Sequence, residues 1–286
     1  MRRFDLPLGR GRVLDAGGPT AIMGILNITP DSFSDGGSYA DLEEVVAAAK
    51  LMVAAGALVL DVGGESTRPM ADAISLEHEL RRVVPVVRAL VERIGIPISV
   101  DTTKAAVFDE AWRAGASILN DVSGLSEDPS LSQVVARTDA AVILMHRRGN
   151  PRTMQSMANY NAVVTDVVAE LALAVSRAES AGIDSRRVIL DPGLGFAKSA
   201  EHNLALLAQL DQLRMGRYPL CVGPSRKAFL GVLTGRTDPK DRDVATAVVV
   251  AGCAKASVEL VRVHHVGFAA DAVKVAEAVS AAGVLP

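Results

Sequence analysis

The stretch ALVLDVGGESTRP, residues 57–69, joins an apolar run to a polar cluster with no transition between them. Asp61 and two glycines follow the apolar run, and the residues from Glu65 to Arg68 carry both signs of charge. In parallel α/β sheets, the functional loops lie at the carboxyl ends of buried strands. The stretch therefore predicts a buried parallel strand that leads into a functional loop.

The same change from apolar to polar recurs along the chain. Eight short runs rich in Val, Ile and Leu each end in a polar or glycine-rich break, and helical patterns separate them. The runs are AIMGILN (21–27), ALVLD (57–61), IPISVD (96–101), ASILND (116–121), AAVILMH (140–146), RVILD (187–191), YPLCVG (218–223) and ELVRVHH (259–265). Strands that alternate with helices predict βαβ units and a parallel sheet. Eight such units in about 265 residues favour the α/β class and a closed (β/α)8 TIM barrel, with its active site at the C-terminal ends of the strands.

The whole chain, residues 1–286, is predicted to be one domain. Hydrophobic residues make up 49% of it, which is enough for a large core. Residues 1–20 lie outside the eight units, and we expect them to form an N-terminal extension, a small hairpin that covers the bottom of the barrel. An open doubly wound sheet is the alternative, but it usually has fewer units. Its dinucleotide-binding turn is also incomplete here, because DPGLGFAK has Lys198 where the third glycine would stand.

Composition narrows the classes of partner. The 30 basic and 33 acidic residues give a formal net charge of -3, and aromatic residues make up 3% of the chain. This balance of charge and scarcity of rings argue against nucleic acid as a partner. No apolar run approaches the roughly 20 residues of a membrane helix, so no membrane partner is expected. Two cysteines, Cys221 and Cys253, are too few for a disulfide framework and indicate a reducing, cytoplasmic location.

Side chains suited to ligand binding stand at the ends of all eight predicted strands. They are Asn27, Asp61, Asp101, Asn120 with Asp121, Met145 with His146, Asp191, Ser225 with Arg226 and Lys227, and Arg262 with His264. A single aspartate at a strand end is commonly a turn residue. This interpretation suits Asp121 best, and it also suits Asp61, which precedes two glycines. It does not account for all eight ends together, which indicate a functional rim at the barrel mouth.

The alternation of side chains along a strand refines this set. Successive strand residues point to opposite faces, so Arg262 and His264 share a face and are predicted to point into the barrel mouth. His265 then points away and is expected to pack or to cap a helix. By the same rule, Asn120 and Asp121 do not both face the mouth.

One predicted subsite is expected to bind an anionic group. The segment SRK at residues 225–227 lies where a strand passes into a helix, and free N–H groups and the helix dipole at such a point favour phosphate or carboxylate. Arg262 and His264 add positive charge from the next strand, and Ser66 and Arg68 are expected across the mouth.

A second predicted subsite is acidic and rich in amide groups, and consists of Asp101, Asn120 and Asp191. Carboxylates accept paired hydrogen bonds from a planar nitrogen fork, so this set suits an amino-pyrimidine edge. Asp101 and Asp191 are also compatible with a general acid–base pair or with metal ligands. No cluster of His and Cys supports zinc, whereas Asn27 beside a bound pyrophosphate suits Mg²⁺, which prefers oxygen ligands and keeps waters.

Seven ordered motifs carry a resemblance to a known family. They are MGILNITPDSFSDGG, DVGGESTRP, SVDTTK, NDVSG, LDPGLGFAK, GPSRKAFLG and VRVHHV, and they extend from Met23 to Val266. Together they closely resemble the dihydropteroate synthases. The resemblance implies a (β/α)8 barrel that joins hydroxymethyl-dihydropterin pyrophosphate to p-aminobenzoate, giving dihydropteroate and pyrophosphate in folate biosynthesis. It also implies Mg²⁺, inhibition by sulfonamides and a homodimer.

The resemblance also implies roles for the rim residues, motif by motif. Asn27 is implied as the Mg²⁺ ligand. The phosphates would be held by Ser66, Arg262 and His264. The pterin would be bound by Asp101, Asn120, Asp191 and Lys227, with Met145 in an apolar platform. The p-aminobenzoate site would consist of Thr67, Arg68, Pro69, Phe196, Ser225 and Lys227. The predicted catalytic residues are Asp101, Asp35, Lys227, Arg262 and His264, and Asp35 would close over the reacting carbon from the first loop.

Three positions depart from the pattern of the family. Met70 stands where a glycine is usual, Pro224 replaces a small residue or threonine, and His265 replaces an aspartate. Two other functions remain open. A pterin-binding methyltransferase would keep the acidic subsite without needing the SRK segment or the Arg262 and His264 pair. A non-catalytic pterin-binding protein would need neither Asp35 nor Asn27.

Overall fold

The computed structural model describes residues 5–15, 18–28, 39–67 and 71–283, and places eight parallel strands in one barrel. After an antiparallel hairpin of β1 (Asp5–Gly9) and β2 (Arg12–Asp15), the barrel strands follow in chain order. They are β3 (Ala21–Asn27), β4 (Val59–Gly63), β5 (Ile98–Asp101), β6 (Ile118–Asp121), β7 (Ala141–Met145), β8 (Val188–Asp191), β9 (Cys221–Val222) and β10 (Leu260–Val263). The strands β3 to β8 pair in sequence, each with its neighbour in the chain, so that β8 is at one end of this series. At the other end, β3 pairs with β10, and β10 pairs with β9.

The barrel is closed between β8 and β9. Leu190 and Leu220 form a parallel bridge there, and Leu190 N donates to Pro219 O at 2.9 Å. The predicted (β/α)8 barrel is therefore confirmed, and the open sheet is excluded. The seventh predicted strand is reduced to Cys221–Val222, because Pro219 and Pro224 on either side have no N–H group to donate to a neighbouring strand.

Helices surround the barrel and connect its strands. They are α1 (Tyr39–Ala54), α2 (Leu76–Arg93), α3 (Ala105–Arg113), α4 (Leu131–Ala136), α5 (Val163–Ser180), α6 (Ala200–Ala208), α7 (Leu210–Leu213), α8 (Ala228–Thr234), α9 (Asp243–Lys255) and α10 (Val266–Ala282). Short 3₁₀ helices occupy Met154–Met157, Ser185–Arg187 and Pro239–Arg242. No helix within the described ranges is long and apolar enough to span a membrane.

The core has two main layers. In the outer layer, apolar side chains of the strands pack against apolar side chains of the helices. On α2 these are Val83, Val87 and Leu90. Inside the barrel, Leu6 and Leu8 of the hairpin join a second cluster with residues from the strands, such as Ile143. This second cluster fills the lower barrel and leaves the polar strand ends at the opposite, open end.

Candidate active site

Four strands meet in one polar network at the barrel mouth. Arg262 of β10 donates from Nε to Asp61 Oδ2 of β4 at 2.6 Å, and from Nη2 to Asp101 Oδ2 of β5 at 2.8 Å. Asn120 of β6 donates from Nδ2 to the same oxygen of Asp61 at 3.0 Å. The strand ends thus hold a guanidinium group between two carboxylates, and we call these four residues the mouth network.

The mouth network is almost closed to solvent, which changes its electrostatics. Asp61 is 0% exposed and Asp101 is 7% exposed. Burial raises the pKa of Asp101 to about 7 against the attraction of Arg262, and Asp61 adds to the rise. Burial opposes the charge of Arg262, but Asp61 and Asp101 outweigh it and raise the pKa of the guanidinium group. With both carboxylates ionised, the network has one surplus negative charge that can stabilise a cationic group at the mouth.

Asp191 forms another wall of the mouth at the end of β8. Its Oδ1 accepts a hydrogen bond from Gly193 N at 2.7 Å. Burial raises the pKa of Asp191, and this backbone donor and the charges of Lys227 and Arg262 offset part of the rise. Lys227, the residue directly before α8, has Nζ 4.1 Å from the centre of the Phe196 ring. The structure thus places Asp191, Lys227 and Phe196 together, as the predicted binding sites require.

An apolar surface adjoins these polar walls. A separate buried cluster consists of Val122, Met145, Met154, Phe196 and Ala197. Met145 ends β7 between the ends of β6 and β8, which carry Asn120 and Asp191. A planar ring bound by the polar groups therefore has an apolar surface next to it, at the position predicted for Met145.

Ser225 and His264 form a polar corner beside the mouth. Ser225 Oγ lies 2.9 Å from His264 Nδ1, and His264 N donates to the same hydroxyl at 3.1 Å. Arg226, the residue after Ser225, does not add charge to this corner. Its backbone has φ 58°, and its guanidinium group binds both carboxylate oxygens of Asp243 at 2.7 and 2.8 Å. The side chain is therefore neutralised by α9 instead of facing the mouth.

The neighbouring strand residues follow the expected alternation. Asp121 accepts hydrogen bonds from Ser123 N at 2.8 Å and from Leu125 N at 2.5 Å, so it is a turn residue while Asn120 faces the mouth. His265 caps α10 by accepting from Phe268 N at 3.2 Å, and its ring stacks on that of Phe268. Both residues have structural partners outside the mouth.

The loop after β4 carries two of the predicted ligands. Ser66 and Thr67 are half-buried and line a cleft of about 210 Å³ together with Asp101 and Asn150. Lys104 holds the base of this loop through ion pairs with Glu65 and Glu79. Three predicted site residues lie outside the described residues: Asp35, Arg68 and Pro69. Met70 lies outside them as well.

Asn27 is compatible with the implied Mg²⁺. It ends β3 with an exposed side chain, and its Oδ1 is 3.8 Å from the point where a side chain on Gly63 would begin. Within the described ranges, no group of three or more His, Cys, Asp and Glu residues is placed to hold a metal. Mg²⁺ needs few protein ligands, because it keeps several waters and binds substrate phosphates, so a single amide oxygen is a suitable ligand.

Asp61 is the member of the mouth network whose role the sequence does not reveal. It ends a predicted strand, but an aspartate before two glycines is also typical of a turn. In the structure it is fully buried and accepts hydrogen bonds from both Arg262 and Asn120. Its position at the end of an apolar strand was the only sequence signal, and turn residues share that signal.

These features define a class of protein, a barrel enzyme whose mouth binds a polar ring beside an anionic group. The family model of pterin-binding enzymes matches residues 23–264. Dihydropteroate synthase of Synechocystis sp. is 45% identical over 276 residues, which cover 96% of each chain. The chain therefore belongs to the dihydropteroate synthase family.

Solved structures are similar over the whole barrel. Yersinia pestis dihydropteroate synthase with a sulfonamide drug superimposes with a TM-score of 0.91 at 40% identity, covering 97% of this chain and 100% of that one. The Xanthomonas albilineans enzyme with 4-aminobenzoic acid gives a TM-score of 0.90 at 41% identity and covers 100% of both chains. At this level of identity, the similarity extends beyond the general barrel architecture.

Proposed function

We propose that the protein joins hydroxymethyl-dihydropterin pyrophosphate to p-aminobenzoate, giving dihydropteroate and pyrophosphate in folate biosynthesis. The observation that carries the proposal is the mouth network, in which Arg262 lies between Asp61 and Asp101. Its surplus negative charge suits a pterin-methyl cation, and the Ser225–His264 corner adjoins it. The names of the relatives and the 4-aminobenzoic acid complex of one of them support the same substrates.

The pterin would occupy the mouth between its polar walls. Asp101, Asn120 and Asp191 supply buried oxygen acceptors for its amino-pyrimidine edge, and Lys227 supplies a donor. Met145 would lie beside the ring as part of the apolar cluster. Desolvated polar groups of this kind discriminate strongly, because a ligand that lacks the matching groups leaves them unpaired.

The pyrophosphate group would lie at the Ser225–His264 corner and within reach of Arg262 and Ser66. Arg262 uses Nε and one N–H of Nη2 for the two carboxylates. A guanidinium group has five N–H donors, so others remain for phosphate oxygens. Mg²⁺ held by Asn27 would neutralise phosphate charge when bound.

The p-aminobenzoate would lie at the outer edge of the mouth. Phe196 offers a ring face and Lys227 a positive charge for the carboxylate. Thr67 and Ser225 would supply hydroxyl groups, and the resemblance to the family also implies Arg68 and Pro69, which lie outside the described residues. An aromatic face directly beside a cation suits a ligand that has both a ring and a carboxylate.

The reaction needs positioning and charge stabilisation more than covalent catalysis. The C–O bond between the pterin methylene and the pyrophosphate breaks, and its electron pair leaves with pyrophosphate. Asp101, together with Asp35, would stabilise the cation that remains. The p-aminobenzoate nitrogen then forms the new C–N bond and loses a proton to solvent. Preorganised charges in a desolvated site account for such catalysis without a protein nucleophile.

We also propose a homodimer formed by α9 and α10. Exposed apolar side chains recur on one face of α9, at Val244 and Val248, and on α10, where Val275 and Val279 are 63% and 68% exposed. The two helices pack against each other, so their apolar stripes lie side by side. Val248→Asp should shift the sedimentation coefficient to that of a monomer, whereas Leu173→Asp on α5 should not. A wild-type protein that sediments as a monomer contradicts the proposal.

A cytoplasmic location is consistent with the chemistry of the cysteines. Cys221 and Cys253 are both free and buried. Burial raises the pKa of Cys253 to about 12, so its thiol is inert at neutral pH. We therefore propose that the protein works in the reducing cytoplasm.

The decisive experiment measures both products with purified protein and the two substrates. Release of pyrophosphate together with dihydropteroate supports the proposed function. Arg262→Ala should lower kcat/KM at least 100-fold, because it removes a positive charge from the proposed pyrophosphate site and leaves Asp61 and Asp101 without their shared partner. Arg186→Ala, which breaks an exposed pair with Asp184, is the control and should have no effect. Pterin binding without turnover, or methyl transfer to a corrinoid partner, would contradict the proposal.

A further inference from the structure

A buried lysine behind the barrel mouth has no part in the reaction proposed above. Lys198 lies in the loop between β8 and α6 and is 5% exposed. Its Nζ lies 2.8 Å from His146 Nδ1 and donates to Gly193 O at 3.0 Å and to Phe196 O at 2.9 Å. Burial lowers the pKa of Lys198 to about 7. In the protonated form Nζ has three N–H donors, and here each of them has one acceptor.

His146 is held in the form that can accept this hydrogen bond. Because Lys198 donates to Nδ1, the ring proton lies on Nε2, which donates to Glu170 Oε2 at 3.0 Å. Burial and the nearby Lys198 lower the pKa of His146 to about 4, so the ring is neutral at physiological pH. Arg148 binds Glu170 in turn, with Nε 2.9 and 3.1 Å from its two oxygens. The chain of contacts thus runs from α5 to the loop.

The loop that Lys198 binds has a conformation that its own residues do not favour. Ala197 has φ 50° in the left-handed region, which costs an L-residue roughly 1–2 kcal/mol. Gly193 has φ 66°, and a Cβ atom there would lie 2.0 Å from His146 O, so only glycine fits. Such a backbone persists only where the surroundings determine it. Tyr160 adds a second external contact by donating from its hydroxyl to Ala197 O at 3.0 Å.

The same loop carries two side chains of the proposed site. Gly193 N fixes the Asp191 carboxylate, and Phe196 places its ring 4.1 Å from Lys227 Nζ. The carbonyl groups of Gly193 and Phe196 are the two that Lys198 binds. Any movement of this anchor therefore displaces the groups proposed to recognise the pterin and p-aminobenzoate.

We propose that Lys198 is a positioning residue whose buried Nζ, oriented by His146 and Glu170, holds the 191–197 loop in its ligand-binding conformation. It acts through Asp191 and Phe196 and does not touch substrate. The inference rests on the proposed function, because it assigns those two residues to substrate recognition. The Ser225–His264 corner follows two other strands, β9 and β10, so we expect its affinity for pyrophosphate to be independent of Lys198.

Calorimetry on the full chain tests the inference with two probes, 6-hydroxymethylpterin and pyrophosphate. Lys198→Met removes the donors and keeps an unbranched side chain that is one atom shorter. It should weaken pterin binding at least tenfold and leave pyrophosphate affinity within twofold, with unchanged stoichiometry. Loss of both affinities in proportion, with a lower stoichiometry, would show a merely structural role and overturn the inference. So would pterin affinity within twofold of wild type.

If Lys198→Met does not fold, a smaller substitution at the same loop and a matched control test the inference. Tyr160→Phe removes only the donor to Ala197 O, and Tyr218→Phe removes a hydroxyl that binds Glu179 away from the loop. We expect Tyr160→Phe to raise the KM for p-aminobenzoate two- to fivefold with kcat nearly unchanged, and Tyr218→Phe to change neither. Equal kinetics of the two variants would overturn the inference. A wild-type protein that binds no pterin would instead refute the proposed function.

Discussion

Asp101→Asn tests the central electrostatic feature of the site. The substitution keeps the shape of the side chain and removes one of the two negative charges that flank Arg262. In a site this buried, one preorganised group that stabilises developing charge contributes about 2.7–4 kcal/mol, or a factor of about 10²–10³ in kcat. We therefore expect kcat to fall at least 100-fold at pH 8, where the wild-type carboxyl group is ionised.

The pH dependence gives the test a second, independent part. The pKa of Asp101 is raised by burial from 3.8 to about 7, so the group is neutral below that pH and charged above it. If the charge is needed, wild-type kcat/KM should fall as pH is lowered, about tenfold by pH 6 and about 100-fold by pH 5. In Asp101→Asn this acidic limb should be absent.

The assay follows pyrophosphate release from about pH 5 to pH 9, with thermal melting at each pH to confirm folding. Asp191→Asn is the informative comparison, because burial raises the pKa of that carboxyl group as well. Glu77→Gln, on a residue whose side chain is 79% exposed, controls for a general loss of charge. An acidic limb that persists in Asp101→Asn but disappears in Asp191→Asn would refute the assignment of the limb to Asp101. Wild-type turnover in Asp101→Asn would refute the role altogether.

Three further predictions concern stability and specificity. Asp61→Ala should lower the free energy of unfolding in urea by about 3–5 kcal/mol, because it takes one carboxylate from a buried guanidinium group, and Asp61→Asn should lose less. Glu79→Ala breaks a buried ion pair and should lower the free energy of unfolding by on the order of 3 kcal/mol. The exposed Glu77→Ala should lower it by less than about 1 kcal/mol, and equal losses in the two variants would contradict the prediction. Met70→Gly combined with Pro224→Thr should lower the ratio of the sulfonamide inhibition constant to the KM for p-aminobenzoate, since it removes a flexible side chain and a rigid ring from positions that the family resemblance implies beside p-aminobenzoate; an unchanged ratio would show that neither position discriminates.

The sequence determined the barrel because its signals are local and repeated. Eight apolar runs of strand length, each followed by a helical pattern, allow few arrangements that bury both faces of every strand. The position of a residue at a strand end then placed it at the mouth, as it did for Asp101, Asn120 and Asp191. Side-chain alternation correctly separated Asn120 from Asp121, because the period of two in a strand is set by the backbone.

The tertiary structure alone decided which of these groups bind each other. Asp61 and Arg262 are 201 positions apart and Asp101 and Arg262 are 161 apart, so their contacts exist only because the barrel closes. The sequence could not show that Asp61 faces inward as an acceptor, or that Arg226 turns toward Asp243, since both outcomes depend on a neighbouring strand or helix. In the sequence, Lys198 stands where a dinucleotide-binding turn would have its third glycine, and nothing there shows that the lysine is buried. Its three acceptors are two backbone carbonyl groups and a histidine that follows another strand. Local patterns fix which face and which end a side chain occupies, whereas its charge state and partners follow from burial and from groups distant in sequence.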